Sequence, residues 1–96
     1  MPGRFTDQVA IVTAGGSGIG AATARRFAGE GAAVVVADLS GTRADAVASG
    51  ITTSGGRAAA IKMDASDPGA VRRTLQLALD SFGRLDVMVN NAGLAE

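Results

Sequence analysis

The sequence predicts an α/β protein built on a parallel sheet whose strands are joined by helical crossovers, and three observations carry that prediction. Short apolar runs alternate with stretches of helical periodicity, a glycine-rich turn follows the first run, and polar residues gather where the runs end. Read with right-handed connections, the order is βαβαβαβ and the strand order 3-2-1-4, in a single domain over residues 1–96.

The first strand is expected at about 8–13 and the first helix at 18–29, with Ile19, Ala22, Thr23 and Phe27 on its buried face and Gly31 as its stop. Val34-Val35-Val36-Ala37 forms a second buried strand ending at Asp38. Residues 42–54 carry Ala44, Val47, Ala48 and Ile51 at i, i+3, i+4 and i+7, a buried helical stripe that Gly55-Gly56 ends. A third strand, 58–63, leads to Asp64. Asp67-Pro68 then supplies a capping residue followed by proline at the first helical position. The third helix carries Val71, Leu75, Ala78 and Phe82 and closes at Gly83, and a fourth strand runs from Leu85 to Asn90. That last strand is an apolar edge, and edges of this kind recruit other chains.

The turn Thr13-Ala14-Gly15-Gly16-Ser17-Gly18-Ile19-Gly20 joins the first strand to the first helix where side chains almost vanish. Glycines let a ligand approach the backbone, and the helix start offers free N–H groups and a positive dipole end to an anion. A dinucleotide pyrophosphate fits that description, although tight strand-to-helix packing also uses glycine. Asp38 stands eighteen residues after Gly20, the place expected of an acidic ligand to a ribose. Its carboxylate would accept from ribose hydroxyls and repel a 2′-phosphate, which favours NAD over NADP. The plain alternative is that Asp38 caps the turn that follows its strand. Leu39 offers a 2′-phosphate no charge, and Arg43, the only nearby cation, is expected to point away on the second helix. Thr13, Asp38, Asp64 and Asn90-Asn91 all fall at carboxyl ends of strands, where open parallel sheets bind ligands.

Composition narrows the alternatives. The chain has 96 residues, net charge 0, 47% hydrophobic and 19% charged residues, and neither cysteine nor histidine. Balanced charge without a basic patch argues against nucleic acid or an anionic membrane as partner. A cysteine- or histidine-based metal site is excluded, and no apolar run is long enough for a membrane span, so a cytoplasmic protein is expected. A phosphate-binding loop of the Gly-Lys-Ser/Thr type is excluded by Gly20-Ala21-Ala22.

With these positions aligned, the chain resembles the N-terminal, Rossmann-type part of the short-chain dehydrogenase/reductase family from about Phe5 to Gly93. The family's Thr-Gly-x-x-x-Gly-x-Gly stands here as Thr13 to Gly20, and its Asn-Asn-Ala-Gly as Asn90-Asn91-Ala92-Gly93. Ala14 replaces the first glycine of the family pattern, and Gly15 is expected to absorb part of that backbone demand. The resemblance implies an NAD-dependent oxidoreductase acting on an alcohol or ketone. It implies Ser17, Gly18 and Ile19 at the cofactor's phosphates and ribose, Asp38 at the adenosine ribose, Asp64 at the adenine amino group and the Ala65 N–H beside it. Asn90 and Gly93 would lie under the riboses, and Thr13, Gly15, Gly20, Leu39 and Ala92 complete the implied cofactor set.

Members of the family carry catalysis on a Ser and a Tyr-x-x-x-Lys beyond the fourth strand, whereas this sequence has no tyrosine and Lys62 as its one lysine. The 96 residues are therefore expected to be a fragment without the catalytic part, inactive alone, the other reading being a non-catalytic dinucleotide-binding chain. Pairing into homo-oligomers through later helices is expected only of a longer enzyme.

Overall fold

The computed structural model describes residues 4–91. Its elements run β1 (Val9–Thr13), α1 (Gly18–Gly29), β2 (Ala33–Asp38), α2 (Gly41–Thr53), β3 (Arg57–Lys62), α3 (Pro68–Phe82) and β4 (Val87–Val89). All strand pairs are parallel and the sheet order is β3-β2-β1-β4, as the sequence predicts.

The two central strands are continuous apolar runs, and every residue of both is buried, as a sheet covered on both faces requires. Alternation along the pleat divides their side chains between two layers. Val12, Val34 and Val36 pack with Ala21, Ala24, Ala44, Val47 and Ile51 of α1 and α2. Val9, Ile11, Ala33 and Val35 face the other way, against Ala78 of α3 with Leu75, Leu77 and Phe82 around it. The direction of strand succession thus reverses at β1. Its carboxyl end, between β2 and β4, is where the sheet opens a crevice.

The helices start and stop by local chemistry. Ser40 caps α2 by accepting from the Arg43 N–H at 3.2 Å, and Asp67 caps α3 by accepting from the Gly69 N–H at 2.9 Å with Pro68 in the first turn. Gly83 ends α3 in the left-handed region, where a side chain would be strained. The stripe expected on α2 is the one observed.

Of the face expected of α1, Phe27 packs half-buried on the core and Thr23 is intermediate, but the rest of that face is not what the helix buries. Its buried residues are Gly20, Ala21 and Ala24, whereas Ile19 is 68% exposed and Ala22 is exposed as well. The helix begins immediately above the turn and approaches the strands so closely that only the smallest residues fit beneath it. Within the turn Gly18 takes a positive φ, 57°, as a glycine there permits, but the demand expected to pass from position 14 to Gly15 does not: Ala14 itself adopts a φ of 53° and Gly15 has no positive φ. Gly15 is pinned instead, its N–H donating to the Ala37 carbonyl at 3.0 Å. Alanine therefore accepts the left-handed conformation directly, at about 1–2 kcal/mol relative to glycine.

At the opposite end of the sheet Asp86 ties β4 to β1. Its Oδ2 accepts from the Val9 N–H at 2.8 Å, and Arg84 forks onto the same carboxylate. The Arg84 hydrogen bond, followed by that of Val9, holds the Asp86 carboxyl below its ordinary value of 3.8. A carboxylate whose folded pKa is depressed stabilises the fold above the unfolded pKa and ceases to do so as pH falls through the folded one. Urea midpoints are thus expected to be flat from neutrality to about pH 5 and to fall below about pH 4. Asp86→Asn is expected to shallow that fall, and an unchanged acid slope in the variant would remove this role.

The free edges differ. β3 ends in Arg57 and Lys62, while β4 presents Met88, 43% exposed, between half-buried Val87 and Val89.

Candidate functional site

The carboxyl ends of the strands frame a cleft of about 510 Å³ lined by Thr13, Ala14, Ser17, Asp38, Leu39, Ser40, Arg43, Met63, Asp64, Ala65 and Asn91. Six residues expected at the site from sequence, Thr13, Ser17, Asp38, Leu39, Asp64 and Ala65, therefore share one wall or floor. Gly15 and Gly20 are buried behind the turn, Gly18 and Ile19 are exposed at the start of α1, and Asn90 is exposed at the end of β4. Ala92 and Gly93 lie outside the described residues.

Two glycines of the turn leave no room for side chains. A Cβ on Gly20 would run into the Ala14 carbonyl oxygen, and one on Gly16 would stand 2.6 Å from the Arg43 Cβ and 2.8 Å from Asp38 Oδ2. Above it α1 starts uncapped: Ser17 is extended and its side chain makes no capping bond, and no acidic residue occupies the first turn. The first helical hydrogen bond of α1 runs from the Ala21 N–H to the Ser17 carbonyl. The amides of Gly18, Ile19 and Gly20 precede it, and amides so placed bind anions. The capped starts of α2 and α3 have no such opening.

Asp38 is 7% exposed and uses both oxygens. Oδ2 accepts from the Gly16 N–H at 2.9 Å and Oδ1 from the Ser40 N–H at 2.8 Å. The turn-capping alternative weighed for this residue is thus part of its geometry, yet a carboxylate has about four acceptor positions, these bonds take two, and Asp38 lines the cleft. Asp64 forms a turn of its own, with Oδ1 accepting from the Ser66 hydroxyl at 2.7 Å and the Ser66 N–H at 2.9 Å. Those two bonds, the hydroxyl foremost, lower the Asp64 pKa and keep it ionised at the mouth.

Thr13 is engaged inside the protein. Its buried hydroxyl accepts from the Asn91 N–H at 2.8 Å and lies 3.1 Å from Asn90 Oδ1 and 3.3 Å from the Val89 carbonyl, the two acceptors for its single proton. Asn90 is thereby turned to β1, and Asn91 is the asparagine that reaches the cleft. The Asn91 Nδ2 is buried with no acceptor among the described residues. A donor so placed costs about 1–3 kcal/mol until a ligand or another segment meets it.

Arg43 does not point away, as expected from sequence, but lines the cleft beside Asp38. The Ser40 cap fixes the first turn of α2, and that turn packs on Gly16, which turns the arginine to the cleft side. Asn91 was foreshadowed by its place at a strand end, and Ser40 and Arg43 by their nearness to Asp38 in the sequence; Met63 carried no signal of its own. Among the described residues no group of three or more potential ligands could hold a metal, and no helix is long and apolar enough to cross a membrane.

A parallel sheet ordered 3-2-1-4, with a glycine turn and an acidic strand end at its switch point, defines a Rossmann-type α/β protein. The comparisons make the class specific: the profile of the short chain dehydrogenases matches residues 8–96, and the chain belongs to that family. It is 43% identical over 91 residues to meso-2,3-butanediol dehydrogenase of Serratia marcescens, covering 95% of this chain and 36% of that enzyme. It is 47% identical over 96 residues to cis-4-hydroxycyclohexanecarboxylate dehydrogenase of Sinomonas cyclohexanicum, covering 100% of this chain and 38% of the other. A 7α-hydroxysteroid dehydrogenase solved with NADH and 7-oxo glycochenodeoxycholic acid superposes with a TM-score of 0.88 at 34% identity, over 91% of this chain and 34% of that one. The chain thus spans under two fifths of these relatives.

Proposed function

We propose that these residues are the NAD-binding part of an oxidoreductase that moves a hydride between a nicotinamide and an alcohol or ketone. The observation that carries this reading is the uncapped start of α1, opening behind a turn in which Gly16 and Gly20 admit no side chain, beside the cleft that holds the Asp38 carboxylate. The donor set fits the group. Amides of Gly18, Ile19 and Gly20 would receive the diphosphate, the remaining acceptor positions of Asp38 a ribose hydroxyl, and Asp64 with the Ala65 N–H the adenine edge. The buried Asn91 Nδ2 offers one more donor to a ligand oxygen. Gly15, Thr13 and Asn90 shape this surface from behind, Leu39 is its apolar margin, and Ala92 and Gly93 are proposed members of the set that continue from Asn91.

When bound, the nicotinamide supplies the hydride chemistry; the carbonyl or alcohol oxygen then needs a proton partner. The sequence contains no tyrosine, histidine or cysteine, and Lys62 is exposed on the edge strand β3. The proton-transfer group of this reading is therefore not among these 96 residues. The same composition favours a second reading, a dinucleotide-binding chain without catalysis of its own.

Fluorescence titration of the 96-residue chain with NADH is expected to saturate at one site per chain, and absence of saturable binding overturns both readings. Incubated with NAD and secondary alcohols, the same chain is expected to form no NADH above a protein-free blank, since loss of general acid–base help alone costs about 10²–10⁴-fold. Turnover that follows the chain through purification would show that a proton partner has been overlooked.

A further inference from the structure

Asp38 does more in this structure than face a ribose. Its two oxygens bind two backbone N–H groups from different elements, Gly16 of the turn and Ser40 at the start of α2. Ser40 accepts in turn from the Arg43 N–H, and the Arg43 Cβ packs so closely over Gly16 that a Cβ there would stand 2.6 Å away. The circuit Gly16–Asp38–Ser40–Arg43 closes on itself. The preceding amide, Gly15, is held by the carbonyl of Ala37, the neighbour of Asp38. Two consecutive N–H groups of the turn are thus committed to the end of β2 and withdrawn from anion binding, which leaves the amides after Ser17 to receive an anion.

We propose that Asp38 is a positioning residue for the diphosphate site: it clasps the glycine turn to α2 and so fixes where the first amides of α1 stand. The proposal rests on reading the cleft as a dinucleotide site, and it differs from a pure ribose contact in its consequence. A carboxylate that only met the ribose would leave a ligand without adenosine unaffected. As a bare negative charge it would even weaken such an anion, so that Asp38→Asn would raise the anion's affinity. The clasp reverses that sign, because the amide group of an asparagine can accept one N–H but presents a donor to the other.

The probe is inorganic pyrophosphate, competed against NADH on the 96-residue chain. Asp38→Asn is expected to weaken pyrophosphate about tenfold, the loss of one charge-assisted hydrogen bond's worth of placement. Gly16→Ala keeps the charge but forces Asp38 Oδ2 and Arg43 apart, and it is expected to weaken pyrophosphate similarly, the double variant losing little more than either alone. Amide hydrogen exchange of the free protein gives a readout independent of any ligand. Gly16 and Ser40 are expected to be protected in the wild type, with one of the two deprotected in Asp38→Asn while the amides of β1 stay unchanged. Unchanged or tighter pyrophosphate binding by Asp38→Asn, or equal exchange of both Gly16 and Ser40 in the two proteins, overturns the clasp. A wild type that binds neither NADH nor pyrophosphate overturns the dinucleotide reading instead, and the exchange data then decide the clasp alone.

Discussion

Gly20→Ala is expected to lower stability by about 1–3 kcal/mol, the range for overfilling a closed site, and to weaken NADH by about 10–100-fold. A Cβ at this position meets the Ala14 carbonyl oxygen, stands 2.6 Å from the Ala14 carbonyl carbon and 3.0 Å from the Gly15 Cα. All three are backbone atoms and cannot swing aside as a side-chain end would. The turn must therefore lift from α1, which breaks the alignment of the first-turn amides with any anion they hold. Loss of one hydrogen bond to a charged group is worth about 1.5–3 kcal/mol, which gives the expected fall in affinity at about 1.4 kcal/mol per tenfold. Two other glycines separate collision from conformation. Gly29→Ala meets nothing within 4 Å and lies at the far end of α1, so it is expected to leave binding unchanged. Gly18→Ala also meets nothing, but its φ of 57° adds strain without collision. Urea unfolding and NADH titration of the three variants give the order. A Gly20→Ala protein as stable and as tight as Gly29→Ala would mean that the turn is not held against α1.

Why some of this was legible in the sequence and some not follows from where each property is decided. The central strands read correctly because burial on both faces leaves only apolar residues from Val9 to Val12 and from Ala33 to Ala37. β4 is shorter than the expected 85–90 because strand length is set by partners: it pairs only with Ala10, Ile11 and Val12 of β1. The buried face of α1 was partly misjudged because hydrophobicity ranks Ile19 above Gly20, whereas close approach to the turn ranks size first. The strand-end rule located Thr13, Asp38 and Asp64 without any knowledge of packing. It could not choose between Asn90 and Asn91, since adjacent residues point to opposite faces and one step of register exchanges them. Arg43 was beyond reach for a related reason: its direction depends on the Ser40 cap and on contact with Gly16, both of which exist only once β2 and the turn have met.

Arg43 sharpens the expected choice between NAD and NADP. With Asp38 in place NAD is expected to bind about 10–100-fold more tightly, because NADP would lose a hydrogen bond to a charged group worth about 1.5–3 kcal/mol and set a phosphate beside a carboxylate. Once that carboxylate is gone, the Arg43 guanidinium lining the same cleft no longer has Asp38 to offset it, and guanidinium is well suited to phosphate. Asp38→Ser is therefore expected to weaken NAD more than NADP, bringing the ratio toward one or below it. Arg43→Ala on the Asp38→Ser background is expected to restore part of the preference for NAD by weakening NADP. Breaking the tie between the turn and α2 lowers both affinities together, so the ratio, not either constant alone, isolates the 2′-phosphate. Calorimetric titration of both cofactors against the wild type, the two single variants and the double variant supplies the four ratios. A ratio unmoved by Asp38→Ser would show that Asp38 does not discriminate at the ribose. A ratio that moves but is indifferent to Arg43→Ala would place the phosphate away from α2.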